Sequence, residues 1–385
     1  MNKFKAYYLV FIVSLFSIIK AENDYYFFYD LNAGANLLSF PLETENKGIE
    51  LFFNNNNPDL ISNHDIPSSL ISVISEGEIS LCQTGIGGTY VCIGSLDEIS
   101  TDKGYWIILE EPLSFLYQGD TIINESYFLH PGSNLISFPY STEQSIYDIL
   151  PISTQDALTA IIGQNESLLI YNNQFYGSLN IFKPGKGYWF IANDYSIFQY
   201  LNPVENNSTN FDNRSFDYEE EVINQSILQS IYFVESIFIS GNENLEELFL
   251  NIYCDDTIVG QKNWENKFSD LIAMGNDGYE WTTDYCDFNQ FVKIKNNSNE
   301  ELHVIRGNNA WIPNNYSIVT LSNANLGDLN FDQTINIGDI VIMIEHITEI
   351  NIIDNLHKSL LADINLDEII NITDIIINIE YILNN

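Results

Sequence analysis

Between about residues 24 and 322, hydrophobic positions fall in short runs, several alternating with polar or small residues, which is the period of a half-buried strand. The longest is Ser230-Ile231-Tyr232-Phe233-Val234-Glu235-Ser236-Ile237-Phe238-Ile239, and Leu248-Phe249-Leu250-Asn251-Ile252-Tyr253 and Phe291-Val292-Lys293-Ile294 read as further strands. Asn276-Asp277-Gly278 marks a tight turn. Near the C-terminus the pattern changes to helical stretches. These are Ile340-Val341-Ile342-Met343-Ile344 with Ile347, then Ile375-Ile376-Ile377 with Ile379, Ile382 and Leu383. At the other end a mostly apolar run, Tyr7 to Ile19, follows the basic Lys3 and Lys5 and precedes the small Ala21. About thirteen residues are too few to span a bilayer, so residues 1–21 read as a secretion signal cleaved before Glu22.

Two of the strand patterns recur. Gly34-Ala35-Asn36-Leu37-Leu38-Ser39-Phe40-Pro41 returns 98 residues on as Gly132-Ser133-Asn134-Leu135-Ile136-Ser137-Phe138-Pro139. Lys103-Gly104-Tyr105-Trp106-Ile107 returns as Lys186-Gly187-Tyr188-Trp189-Phe190, and Gly94-Ser95-Leu96 as Gly177-Ser178-Leu179, both at an offset of 83. Two β modules are expected, over 24–118 and 119–203, the first longer in its cysteine hairpin and around Asn54 to Asn63. On strand alternation one of each Tyr-Trp pair faces the core. Core packing is the preferred reading of Trp106 and Trp189, and a sugar-stacking platform is the alternative. The repeated motifs resemble modules of large secreted bacterial proteins, which implies a structural building block. Residues 204–215 are polar and patternless and read as a linker, and 216–322 as an antiparallel β-sandwich-like module.

Composition agrees with a mainly β protein: 24 Phe and 23 Tyr favour strands over a helical bundle. With 53 acidic against 14 basic residues, net −39, the chain lacks the clustered Lys and Arg that nucleic-acid phosphates require. Four cysteines suit an oxidising compartment. Cys82 and Cys92 flank a Gly-rich turn and are expected to staple a hairpin, leaving Cys254 and Cys286 to pair by elimination.

The densest chemistry lies in the tail. Asp328, Asn330, Asp332, Asn336 and Asp339 stand at positions 1, 3, 5, 9 and 12 of a loop, and Asp363, Asn365, Asp367, Asn371 and Asp374 repeat the spacing 35 residues on. A hard cation such as Ca²⁺ takes six to eight oxygens, and a twelve-residue loop supplies them at this spacing. Thr334 and Ile369, at position 7, add backbone carbonyls, and position 9 acts through water. Two calcium ions are expected, coupled to folding, because three carboxylates per loop repel one another until a divalent ion neutralises them.

This duplicated loop-helix, with Asp rather than Glu at position 12, resembles the type I dockerin module. The resemblance implies a small α-helical calcium-binding domain over 323–385 and a cohesin-like partner or cell-surface scaffold. It further implies partner recognition through loop positions 10 and 11, here Ile337-Gly338 and Ile372-Thr373. The family places Gly at positions 4 and 6, where this chain has Phe331 and Gln333, then Leu366 and Glu368. Non-Gly residues in a left-handed turn cost on the order of 1 kcal/mol each.

Recognisable catalytic motifs are absent: no Gly-x-Ser-x-Gly, no His-Glu-x-x-His, no phosphate loop. Asp255-Asp256 and Glu219-Glu220-Glu221 read as surface charge. The chain is therefore expected to be a secreted, non-catalytic attachment protein without a membrane span, its β modules serving as spacer or cargo. The alternatives are a carbohydrate- or surface-binding adhesin with a structural tail, a polysaccharide-degrading enzyme component, and a tail that docks on its own β modules.

Overall fold

The computed structural model describes residues 18–21, 24–54, 60–62, 66–84, 90–122, 125–203, 223–240, 248–265 and 267–384. The linker and most of the expected signal segment lie outside these. Ile18–Ala21 pairs as a strand with the start of Asp24–Leu31. The protein is mainly β, with helices in its tail, and forms two compact units. One is Met1–Gln174 with Leu179–Ser215, the other Phe216–Asn385 with Phe175–Ser178.

In the first unit the two sequence repeats build the same sheet. Strands β1 (Gly34–Ser39), β2 (Leu70–Ser75), β3 (Glu78–Thr84), β4 (Tyr90–Gly94) and β5 (Gly104–Leu109) pair in the order β1-β5-β2-β3-β4. Strands β6 (Gly132–Ser137), β7 (Leu158–Ile162), β8 (Ser167–Tyr171), β9 (Gln174–Gly177) and β10 (Gly187–Ala192) pair as β6-β10-β7-β8-β9. Cys82 and Cys92 face each other across β3 and β4 and form the expected disulfide.

Each residue of the recurring motif has a structural task. Gly34 and Gly132 enter their strands at φ of 85° and 104°, a region that favours glycine. The buried amides of Asn36 and Asn134 donate to the carbonyls of Asn32 and Gly34, and of His130 and Gly132, closing the preceding turn. The serines join the repeats to each other. Ser39 donates its amide to Gly185 and its hydroxyl to Lys186, and in return Ser137 donates its amide to Asp102 and its hydroxyl to Thr101. Backbone bridges Leu38–Lys186 and Lys103–Ile136 complete the exchange. The repeats are thus related by an approximate two-fold.

The glycines of the Lys-Gly-Tyr-Trp motif sit where the two copies approach most closely. A Cβ on Gly187 would lie 2.6 Å from the Leu38 carbonyl oxygen and 3.2 Å from the Gly104 Cα. Behind them Tyr105 and Tyr188 enter the cores, their hydroxyls accepting from the amides of Ser100 and Lys183 at 2.6 and 2.8 Å. Trp106 and Trp189 alternate to the opposite face and are also buried, 1% and 9% exposed. Neither indole offers a ring to solvent, so the stacking-platform alternative loses its residues.

In the second unit seven strands, β11 (Gln229–Phe238), β12 (Phe249–Cys254), β13 (Thr257–Asn263), β14 (Ser269–Met274), β15 (Lys293–Asn296), β16 (Glu301–Arg306) and β17 (Asn315–Ser322), pair in the order β13-β12-β15-β16-β17-β11-β14. The expected antiparallel arrangement is broken at one place: β11 and β17 run parallel. Almost the whole module separates them in sequence, ample chain for the crossover a parallel pair requires. The path curls until its end strands meet, since a Cβ on Gly260 of β13 would lie 1.9 Å from the Ile272 carbonyl oxygen of β14. Cys254 and Cys286 are disulfide-bonded, as elimination predicted.

Three helices follow, α1 (Ile337–Ile347), α2 (Leu356–Ala362) and α3 (Ile372–Asn384). The sequence pattern had shown only the first and last. Met343 and Ile375 from the long helices and Leu361 from α2 share a core with Leu329, Ala324 and Ile305 of β16, and Phe238 of β11 packs against it. The tail therefore completes its core on the sheet.

Gly187→Ala should destabilise the first unit by roughly 2 kcal/mol, because the obstructing atoms are backbone and cannot yield. Gly48→Ala, whose Cβ would have 3.9 Å of clearance, serves as the near-neutral control in urea unfolding.

Candidate metal centre

Both predicted loops close in nearly the same geometry. In the first, the Asp328 Oδ2 accepts from the Gln333 amide at 3.0 Å, Asn330 Oδ1 from the Asp332 amide at 2.8 Å, and Asp332 Oδ1 from the Thr334 amide at 2.9 Å. Position 12 ties the loop to its helix: Asp339 Oδ1 accepts from the Leu329 amide at 2.8 Å and Oδ2 from the Asn336 amide at 2.9 Å. In the second loop Asn365 Oδ1 accepts from the Asp367 amide at 3.1 Å and Asp367 Oδ1 from the Ile369 amide at 2.9 Å. Asp374 holds the Ile364 and Asn371 amides at 2.8 and 2.9 Å.

Position 9 has a task beyond the one expected. Asn336 Oδ1 accepts from the Gly338 amide at 2.7 Å and Asn371 Oδ1 from the Thr373 amide at 2.7 Å, so each caps its helix. With Asp339 reaching back, the first helix begins in a full capping box. The carboxylate of position 12 also meets the positive end of the helix dipole.

The four positions where glycine was expected and not found do take the left-handed conformation. Phe331 and Gln333 lie at φ of 63° and 67°, Leu366 and Glu368 at 62° and 67°. The loops keep the turn despite the wrong residues for it.

Asp328, Asp339, Asp363 and Asp374 are all buried. Oδ1 of Asp328 has no hydrogen-bond partner. A buried carboxylate oxygen without a donor is costly unless a cation meets it. Burial above all, with help from the neighbouring Asp339 and Asp332 carboxylates, pushes the Asp328 carboxyl above its usual range, against the pull of the Gln333 and Phe331 amides. Hydrogen bonds from Thr334 hold Asp332 below it. An all-oxygen donor set with an orphaned inner atom fits a hard divalent cation.

The helices leave two matched apolar stripes in solvent. On α1 these are Ile337, Val341 and Ile344, and on α3 Ile372, Ile376 and Ile379, spaced i, i+4, i+7 and related by the same offset of 35. Ile337 and Ile372 are the position-10 residues and are 71% and 62% exposed.

The tail is thus a duplicated EF-hand-like loop-helix module with an exposed apolar face on each long helix. Residues 326–383 match the family model of the dockerin type I domain. No curated protein and no solved structure matches the chain. Type I dockerins generally bind calcium, and dockerin domains bind cohesins. No helix among the described residues is long and apolar enough to cross a membrane.

Two residues beside the site carried no local signal. His357 of α2 shares a hydrogen bond of 2.7 Å with Ser322 Oγ, stacks on Phe238 at a ring distance of 5.0 Å and meets the tilted ring of Phe331 at 4.9 Å. Arg306 of β16 pairs with Asp363 at 2.9 Å. Each joins the sheet to the tail.

Burial pulls the His357 imidazole down to about 4. Its folded value lies below the unfolded one, so the unfolded chain takes up the proton first as pH falls. Stability of the second unit should be full above about pH 6.5 and decline from there toward pH 4. Urea midpoints measured between pH 7 and 5 in calcium-free buffer should fall, and His357→Gln should flatten most of that slope.

Proposed function

We propose that the chain is an extracellular, non-catalytic attachment protein whose tail binds two calcium ions and docks to a cohesin-like domain, the β modules serving as spacer or cargo. The observation that carries this reading is the duplicated, closed twelve-residue loop with a buried, unpartnered Asp328 oxygen, inside a segment matched by the dockerin type I model. Calcium would be held through Asp328, Asn330, Asp332, Asp339 and the Thr334 carbonyl, and through their equivalents Asp363, Asn365, Asp367, Asp374 and the Ile369 carbonyl. When bound, the ion supplies the positive charge that the crowded carboxylates lack.

The matched stripes on α1 and α3 suit the partner surface. Six exposed branched side chains, three on each long helix, are more apolar surface than scattered single residues would leave in water. Two disulfides favour an oxidising exterior. Asp255, Asp256, Asp284 and Asp287 are exposed around an open recess. Glu219-Glu220-Glu221 lie outside the described residues.

Isothermal titration of the full chain should give two calcium ions per molecule, and Asp328→Ala with Asp363→Ala should remove both. Calcium at about a hundredfold over Kd should stabilise the second unit by about 2.7 kcal/mol per site. Surface plasmon resonance against a panel of cohesin domains should show binding that Ile337→Asp with Ile372→Asp abolishes while calcium uptake persists. A chain that ignores millimolar calcium, or binds sugars and no cohesin, would sink the proposal.

A further inference from the structure

The two loops differ at their first ligand, and the cause lies outside the tail. Asp328 keeps one buried oxygen without a partner. At the equivalent Asp363 both oxygens are engaged. Oδ1 accepts from the Asp367 amide at 3.0 Å, and Oδ2 accepts from the Glu368 amide at 3.2 Å and from Arg306 Nη2 at 2.9 Å. Arg306 stands at the end of β16, in the strand next to β17, which leads into the tail. Its Nη1 donates to the Ile305 carbonyl at 2.8 Å, which fixes the guanidinium plane. The ion pair is largely shielded from water, its side chains 22% and 8% exposed.

We propose that Arg306 is a positioning residue acting as the resident cation of the second loop, so that this loop stands formed without calcium while the first depends on the metal. The inference rests on reading the loops as calcium sites. A guanidinium and a divalent ion answer the same need, positive charge at a buried carboxylate, and a charge-assisted hydrogen bond supplies it permanently. Near the metal the same guanidinium is a like charge, so it also opposes calcium at the second loop. The duplicated sequence therefore yields two unequal sites: a first loop that responds to calcium and a second already partly satisfied by the sheet.

Hydrogen–deuterium exchange of the full chain, followed by mass spectrometry, separates the loops. In EDTA, amides of residues 363–371 should exchange at least about tenfold more slowly than those of 328–336. Arg306→Gln should erase that difference while leaving the β11–β14 strand pair unchanged. Calcium should then restore slow exchange to both loops of the variant, since the ion replaces the missing charge. Equal exchange of the two loops in calcium-free wild type would overturn the proposal, and that comparison needs no variant. So would an Arg306→Gln second loop that stays slow in EDTA, or one that stays fast in calcium, as a mere packing role would require. A wild-type first loop indifferent to calcium, with Arg306→Gln still opening the second, would overturn the calcium reading and leave the role of Arg306 standing.

Discussion

Burying carboxylates is the constraint on which the C-terminal half depends. Four Asp side chains, Asp328, Asp339, Asp363 and Asp374, lie at or below 5% exposure in a tail of about sixty residues. Removing one such charge from water costs several kcal/mol unless it is paired and hydrogen-bonded. The loops answer first with their own backbone: position 12 gathers amides from both ends of each loop, and position 1 gathers amides from its turn. The amides leave one Asp328 oxygen unpartnered. At the equivalent Asp363 the guanidinium of Arg306 brings positive charge from the sheet.

The same economy of satisfied polar groups explains the N-terminal unit. Its repeated motif looks like a ligand-binding signature, with a buried Asn, a Ser and an aromatic pair at fixed spacing. Each polar member is instead consumed by backbone. The Asn closes its own turn, the Ser crosses to the other repeat, and the Tyr hydroxyl receives an amide five residues earlier. Repetition here follows from the approximate two-fold: one copy alone would leave Ser39, Lys186 and the face carrying Trp106 without partners. Two copies close on each other.

How much of this was legible follows from the range of each interaction. The duplicated Asp- and Asn-rich twelve-residue loops, the Cys82–Cys92 hairpin and the repeat offsets of 98 and 83 are local or self-similar patterns, and the chain displays them directly. The parallel pairing of β11 with β17, the short helix α2 and the Arg306–Asp363 pair are not. Arg306 lies 57 residues before its partner in a strand with no distinguishing pattern, and Leu356–Ala362 is too brief for a helical period to stand out. The Tyr-Trp pairs show an intermediate case. Alternation correctly separated their two faces, but the burial of the second face depends on the other repeat, which no single strand can reveal.

The non-glycine residues of the first loop show what such long-range contacts do to a local rule. Phe331 at φ of 63° costs on the order of 1 kcal/mol where glycine would cost little. Its ring, however, packs against His357 at 4.9 Å in a tilted pair and lies 5.4 Å from the Lys358 ammonium, and His357 in turn stacks on Phe238 of the sheet. An aromatic pair contributes about 0.5–1.5 kcal/mol beyond the area it buries, a magnitude comparable to the backbone strain. Position 4 of the first loop has thus become part of the contact between tail and sheet. Its counterpart Leu366 is 47% exposed, and nothing in the structure explains its side chain. That asymmetry runs opposite to the one at position 1, where the second loop alone reaches the sheet through Arg306. Beyond the shared apolar core, each loop is therefore tied toward the β module by a different residue, and the near-identical halves of the tail are held in unequal settings by the domain that carries them.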